Sequence, residues 1–290
     1  MTLVNLVIAP FLEFGFMRSA LIGCVVLSLS AAPMGVFLML RRMSLTGDAM
    51  AHAILPGAAI GYLVSGLSLT AMTLGGIVAG MVVAVGSGLI ARSTVLREDV
   101  SLAAFYLLSL ALGVLIVSMR GNHLDLLHVL FGSALALDGA ALMLLAGIAA
   151  VTLIALRLLY RPLVLECADP DYLRMVSRWS PVAHYGFLML VVLNLVAGFH
   201  ALGTLMAVGI MVLPAATARL WLRRMVPLLL VAPLLAASAC VIGLLLSYHV
   251  DWPTGPAIVL CLGAFYVVSM LAAPFGVIRT LRPSRVHLKG

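Results

Sequence analysis

Charge is what this sequence has least of. Only 9% of its 290 residues are Asp, Glu, Lys or Arg, against roughly 25% in a soluble domain. A soluble globular protein is excluded. With 64% hydrophobic residues and a mean hydropathy of +1.23, the composition is that of a polytopic helical membrane protein. Lysine is almost missing: Lys289, in the C-terminal tail, stands alone. A Walker A loop needs Gly-Lys-Ser/Thr, so this polypeptide hydrolyses no ATP by that route, and it is not read as an enzyme. Neither His-Glu-x-x-His nor Gly-x-Ser-x-Gly occurs, which weakens an intramembrane hydrolase reading. The four cysteines, Cys24, Cys167, Cys240 and Cys261, include no Cys-x-x-Cys. They are expected as free thiols rather than disulfides or a zinc cage. The sixteen methionines form no recurring Met-x-x-Met array, so core filling accounts for them better than soft copper ligation. The first basic residue is Arg18; without a charged n-region, the first apolar run is expected to remain as a helix.

What is present is hydrocarbon in lengths that match a bilayer, whose core takes about 20 apolar residues per helix. Uncharged runs of that order lie at roughly 19–40, 67–91, 100–119, 139–156, 201–218, 225–248 and 254–278. Two shorter or more polar stretches, about 44–66 and 181–199, bring the expected count to nine. A further short helix is expected near 127–137, and residues 1–16 read as an interfacial lead-in. All seventeen Lys and Arg except Arg18 and Arg120 fall on one side of this layout. The positive-inside rule then puts the N-terminus outside and the C-terminus in the cytoplasm. The sequence pI of about 9.7 follows from that asymmetry and calls for no nucleic acid. Arg41 counts here among the cytoplasmic basic residues, and His184 and His287 as cytoplasmic surface groups; Asp138 and His200 receive no role.

The longest polar connection, about 161–180, contains Asp169-Pro-Asp-Tyr-Leu-Arg-Met-Val-Ser-Arg178. Asp169 suits an N-cap and Pro170 the first helical position. Asp171 complements the N-terminal end of such a helix, and Arg174 and Arg178 its C-terminal end. Tyr172, Leu173 and Val176 give it an apolar side. Two readings stay open: a helix lying on the membrane surface, or one that docks a cytosolic partner. The small residues around Pro214 allow close helix approach, with internal packing ahead of a homodimer face.

One pair of residues breaks the hydrocarbon pattern. Asp48 and His52 stand four apart, on one face of a helix. An ionisable group at membrane depth usually faces a partner or a wet path, and carboxylate with imidazole suits a divalent transition metal. The plain alternatives are an N-cap for Asp48 and a hydrogen-bonded interior imidazole for His52. Pro56-Gly57 follows as a natural kink. Two ligands per chain are too few for a closed tetrahedral site; two copies across an axis, or water, would complete it. His123, Asp125 and His128, and the pair His249 and Asp251, are candidate outer-mouth residues, with loop polarity or simple solvation as the plainer account.

Several segments together resemble the membrane permease of the zinc and manganese ABC importer family. They are Leu40-Arg-Arg-Met-Ser-Leu-Thr-Gly-Asp-Ala-Met-Ala-His-Ala-Ile-Leu-Pro-Gly57, Leu130-Phe-Gly-Ser133, Ala168-Asp-Pro-Asp-Tyr-Leu-Arg174, Leu213-Pro-Ala-Ala-Thr-Ala-Arg219 and Ser247-Tyr-His-Val-Asp-Trp-Pro-Thr-Gly255. The first is the most specific. The resemblance implies one all-α permease domain over 1–290 of the vitamin B12-importer type, with a cytoplasmic tail at about 279–290. It implies a homodimer in the inner membrane that works with cytosolic ATP-binding subunits and an extracytoplasmic metal-binding protein. It also implies that Zn²⁺ or Mn²⁺ passes inward by alternating access as cargo, with no stably bound cofactor. Asp48 and His52 match the family's Asp-x-x-x-His and would be the metal way-station. Asp169, Pro170, Asp171, Tyr172, Arg174 and Arg178 match the helix that seats in the ATPase. Met175-Val176-Ser177 departs from the usual Ala-Leu-Gly there, which touches the geometry of docking. A proton-coupled secondary metal transporter is the alternative from another class.

Overall fold

The computed structural model describes residues 8–66, 68–95, 98–118, 137–169, 172, 175 and 180–277. The helix expected near 127–137 and the tail from 279 therefore lie outside the described residues, as do Arg120 and His287. Among the described residues every regular element is an α-helix. In chain order they are α1 (Ala9–Glu13), α2 (Gly15–Leu40), α3 (Ser44–Ala53), α4 (Leu55–Ser65), α5 (Leu69–Ser93), α6 (Glu98–Ser118), α7 (Gly139–Ala168), α8 (Ser180–Leu202), α9 (Thr204–Trp221), α10 (Met225–Val250) and α11 (Thr254–Ala272).

Eight of these, α2 and α5 to α11, are long and apolar enough to cross a membrane. The ninth expected span, 44–66, is two pieces of 10 and 11 residues that meet at Ile54. The break falls just ahead of Pro56 rather than at Pro56-Gly57. A proline has no N–H to give the carbonyl four residues back, and its ring crowds that carbonyl. The damage is therefore done in the preceding turn, around His52 and Ala53. The Ser109 hydroxyl on α6 donates to the freed Ala53 carbonyl at 2.9 Å, so the opened backbone is satisfied from a neighbouring helix.

α7 also departs from expectation. Hydropathy ends its span near 156, yet the helix continues through Arg157, Arg161 and Pro162 to Ala168. Arginine is a good helix former, so basic residues end a hydrophobic run without ending the helix. At 30 residues it is about 45 Å long and outreaches a hydrocarbon core of about 30 Å. The lead-in is a single short helix, α1, and α2 begins at Gly15 after extended Phe14.

The centre of the bundle is α2 with α8. α2 packs on α3, α7, α8, α9 and α10, and α8 packs on α2, α3, α5, α7 and α9. Ala207 and Ala215 on α9 are buried, so the small residues near Pro214 serve internal packing. Backbones touch directly where α4 crosses α5. A Cβ on Gly57 would sit 2.0 Å from the Gly75 carbonyl oxygen, and one on Gly75 would sit 2.1 Å from that of Gly57. Only glycine fits that crossing. All four cysteines are free, and Cys24, Cys240 and Cys261 are buried, as expected.

The two ends of the bundle follow from a few contacts. Gly35 of α2 abuts Met211 of α9, and Gly198 of α8 lies against both Ala207 of α9 and Leu27 of α2. Leu27 and Gly35 therefore meet α9 in chain order, and the two helices run side by side in one direction. α10 returns, and its Tyr248 ring lies 5.7 Å from Phe14. One end thus carries Phe14, Asp138, His249 and Asp251. The other carries Arg41, Arg42, the C-terminus of α7, and Arg223, whose guanidinium lies 3.9 Å over Phe275.

Candidate metal site

The link from α2 to α3 sets where the site falls. Arg42 adopts a left-handed backbone, φ 60°, while its amide donates to the Met39 carbonyl and that of Met43 donates to Leu38. This is the Schellman closure of a helix C-terminus, which usually places glycine at the left-handed residue. Arg42 holds it at a backbone cost of about 1–2 kcal/mol for a side-chain-bearing residue. The tight turn folds α3 back against α2, and Gly47 then touches Leu38, Met211 and Val212.

α3 begins at Ser44 with Met43 at the N-cap. Asp48 therefore lies one turn inside the helix, too deep to cap it, and the N-cap alternative fails. Asp48 Oδ1 and His52 Nε2 lie 3.8 Å apart, with side chains 64% and 28% exposed. That is too long for a hydrogen bond. Two ligands about 2.1 Å from one tetrahedral ion would stand about 3.4 Å apart, so a small rotamer change suffices to share a metal. His52 Nδ1 faces inward, buried and without a hydrogen-bond partner among the described residues. A proton there leaves the Nε2 lone pair facing outward.

Both side chains open onto a cleft of about 530 Å³ walled by α3, α9 and α11. Ser44, Thr204, Val208, Val212 and Val259 complete its lining, and nearly all of that wall is apolar. Such a wall leaves Asp48 and His52 as the strongest ligands for a cation that reaches it. Among the described residues no group of three or more His, Cys, Asp or Glu is close enough to enclose a metal. One chain brings two candidate ligands together here.

The remaining expected site residues are scattered. His123, Asp125 and His128 lie outside the described residues, as do Pro170, Asp171, Arg174 and Arg178. Asp169 and Tyr172 are described: the Tyr172 amide donates to Asp169 Oδ1 at 2.9 Å, the bond of an N-cap. His249 and Asp251 are both exposed, at the α10–α11 turn and at the opposite end from Arg41. Asp138, left without a role, caps α7 by accepting from the Ala141 amide at 2.8 Å. His200 Nδ1 donates to the Val196 carbonyl at 3.0 Å.

One expectation is corrected. His184 is not a surface group: it is 6% exposed, and its Nδ1 lies 3.3 Å from Glu166 Oε1. Arg41 lies in the turn after α2 with its side chain turned inward: it is 5% exposed and its Nη2 meets the same oxygen at 2.5 Å. Sequence reasoning passed over Glu166 altogether, because the residue sat inside an apparent polar connection. The stretch 157–168 carries Pro162, and nothing in it marks the helix as continuing to Glu166.

The family model for the ABC 3 transport family matches residues 13–273. The chain is 31% identical over 262 residues to the "Manganese import system permease protein ScaB" of Streptococcus parasanguinis, covering 90% of this chain and 92% of that one. It is 31% identical over 269 residues to the "Chelated iron transport system membrane protein YfeD" of Yersinia pestis, covering 93% and 89%. Among solved structures it is similar to PsaBC from Streptococcus pneumoniae in complex with Fab. There the TM-score is 0.82 at 28% identity, over 94% of this chain and 97% of that one.

Proposed function

The chain belongs to the ABC 3 transport family, and on that premise we propose that it is the permease of an ATP-driven importer that takes up Mn²⁺ or Zn²⁺ through a homodimer. The observation that carries this reading is the Asp48–His52 pair, 3.8 Å apart and open to an apolar cleft. Two ligands per chain, repeated across a two-fold axis, would make four, enough for a tetrahedral ion such as Zn²⁺ and, with water, for the six positions that Mn²⁺ favours. A shared site of that kind also suits a conduit. It assembles when the halves meet and loosens when they part, so the ion is held weakly enough to leave.

The relatives support manganese over zinc, since one is named for manganese and another for chelated iron. Oxygen and nitrogen ligands do not separate these ions by affinity alone. Membership of an ATP-driven family leaves the proton-coupled alternative without a supporting observation. The partners would be two ATP-binding subunits, seated on the 169–178 segment, and an extracytoplasmic metal-binding protein at the opposite end near His249 and Asp251. The end bearing Arg41, Arg42 and Arg223 would face the cytoplasm, with the N-terminus outside and the whole of 1–290 forming one permease domain.

The chain's own chemistry is limited to ligation and gating. An ion entering between the two copies exchanges water for Asp48 and His52. The break at Ile54 lets α3 pivot without carrying α4, so the pair can change exposure as the motor closes and opens. The test is Asp48→Ala with His52→Ala in the complex reconstituted with its ATPase. Mn²⁺ uptake should fall to background while the subunits still copurify. Undiminished uptake removes the pair as the way-station.

A further inference from the structure

A second carboxylate and imidazole meet in this molecule, far from solvent. Glu166 Oε1 is shared by Arg41 Nη2 at 2.5 Å and His184 Nδ1 at 3.3 Å, and all three side chains are 8% exposed or less. The Arg41 guanidinium also lies 4.8 Å over the Phe187 ring, which meets Phe37 edge-on. Three helices converge here: the C-terminus of α2, the last turn of α7 and the first turn of α8. A buried ion pair is weak support for stability, since well-packed apolar residues often do as well; its best-attested use is as a register or switch device.

Position makes that use specific. Glu166 precedes Asp169, where the proposed docking segment starts, by three residues. His184 sits one turn past the start of α8, on the other side of that segment. Arg41 is seven residues before Asp48, across the left-handed Arg42. The cluster therefore ties both roots of 169–178 to the hinge of the metal-bearing helix. It is also incompletely matched. Arg41 Nη1 and Glu166 Oε2 are buried with no hydrogen-bond partner among the described residues. Among the described residues, one of the two terminal guanidinium nitrogens and one of the two carboxylate oxygens are thus in use. A two-pronged Arg–carboxylate contact is open to the same pair after a small shift, which gives the joint two arrangements.

We propose that Arg41, Glu166 and His184 form a positioning joint that transmits movement of the 169–178 segment to α3, and so to Asp48 and His52. The joint rests on the metal-import reading above, and acts through the site rather than on the ion. Switching Arg41 between one- and two-pronged contact would draw the α2–α3 turn toward or away from the end of α7. The left-handed Arg42, held at a strained backbone angle, is the natural place for that displacement to turn into rotation of α3.

The test uses the whole complex in proteoliposomes with Mn²⁺ as the probe, and reads ions taken up per ATP hydrolysed. Glu166→Gln should leave the subunits copurifying and ATP hydrolysis within about twofold of the unaltered complex. Uptake per ATP should fall roughly two- to thirtyfold, the range seen for residues along a coupling network. The exchange Arg41→Glu with Glu166→Arg should recover part of the loss. An unchanged ratio in Glu166→Gln, or uptake and hydrolysis falling in proportion, overturns the proposal. If Glu166→Gln does not assemble, Arg41→Lys reads the same ratio, since it keeps the charge and removes the fork. Failure of both to assemble makes the cluster a scaffold and equally overturns it. Asp48→Ala with His52→Ala, run alongside, keeps the two ideas apart: it removes uptake with the joint intact. An unaltered complex that takes up no metal sinks the import reading instead.

Discussion

The molecule brings a carboxylate and an imidazole together twice, and the two places could hardly differ more. In the cleft, Asp48 and His52 stand 3.8 Å apart with 64% and 28% of their side chains exposed. At the foot of α7, Glu166 and His184 lie 3.3 Å apart with 8% of each exposed, and a guanidinium already occupies the shared oxygen. The same functional groups are left open to an incoming ion in one setting and satisfied by a built-in cation in the other. Residue type does not distinguish an open pair from a sealed one. The third charge and the access do.

Arg41→Ala should sharpen that contrast most. It leaves Glu166 charged and buried without its cation, and breaking a buried pair from one side costs about 3–5 kcal/mol. The thermal midpoint of the purified permease should drop sharply. Replacing Arg41 and Glu166 together with Met and Gln should recover much of the drop. A single Arg41→Ala as stable as the unaltered chain would show that the cluster is not the sealed unit described.

Arg42→Gly acts on the turn that joins the two regions. Glycine takes the left-handed angle freely, so the folded state should gain about 1 kcal/mol from relieved strain, offset in part by the greater freedom of the unfolded chain. Uptake per ATP should fall if that turn transmits movement. A thermal midpoint that rises together with undiminished transport would separate the two regions.

Ser109→Ala concerns the break between α3 and α4. Removing the hydroxyl strands the Ala53 carbonyl in a buried place, at about 1 kcal/mol. The expected result is a modest loss of stability with a larger change in transport, measured on the same preparation. No change in either would mean that the break needs no help from α6.

How much of this was legible in the sequence follows from the range of each interaction. The spans were readable because hydropathy is local, and Asp48 with His52 because helical spacing is local too. The kink expected at Pro56-Gly57 falls two residues early, at Ile54, because the proline ring acts on the carbonyls before it. Glu166 and His184 were not readable as partners. They are eighteen residues apart in the chain, and nothing in a single sequence shows that α7 continues past Pro162 to bring them together. The arginine count suited the topology argument whether or not Arg41 reached solvent, so it could not reveal a buried guanidinium. Ser109 was invisible for the same reason: its acceptor lies on a different helix.

The smallest effect on stability is expected at the proposed metal site. Asp48 is 64% exposed, makes no hydrogen bond to His52, and caps nothing. Asp48→Asn keeps its size and removes its charge, so the folded chain should change by no more than about 0.5 kcal/mol, as for an ordinary surface substitution. Metal uptake should nonetheless fall to background, because a neutral amide is a far poorer partner for a divalent ion than a carboxylate. The matching change in the sealed cluster, Glu166→Gln, should reverse the order, with a visible shift in the thermal midpoint and residual uptake. Measured side by side, the two substitutions replace the same group by the same amide. If both lower the thermal midpoint alike, the cleft residue is held by contacts that an open ligand would not have, and the distinction between the two regions collapses.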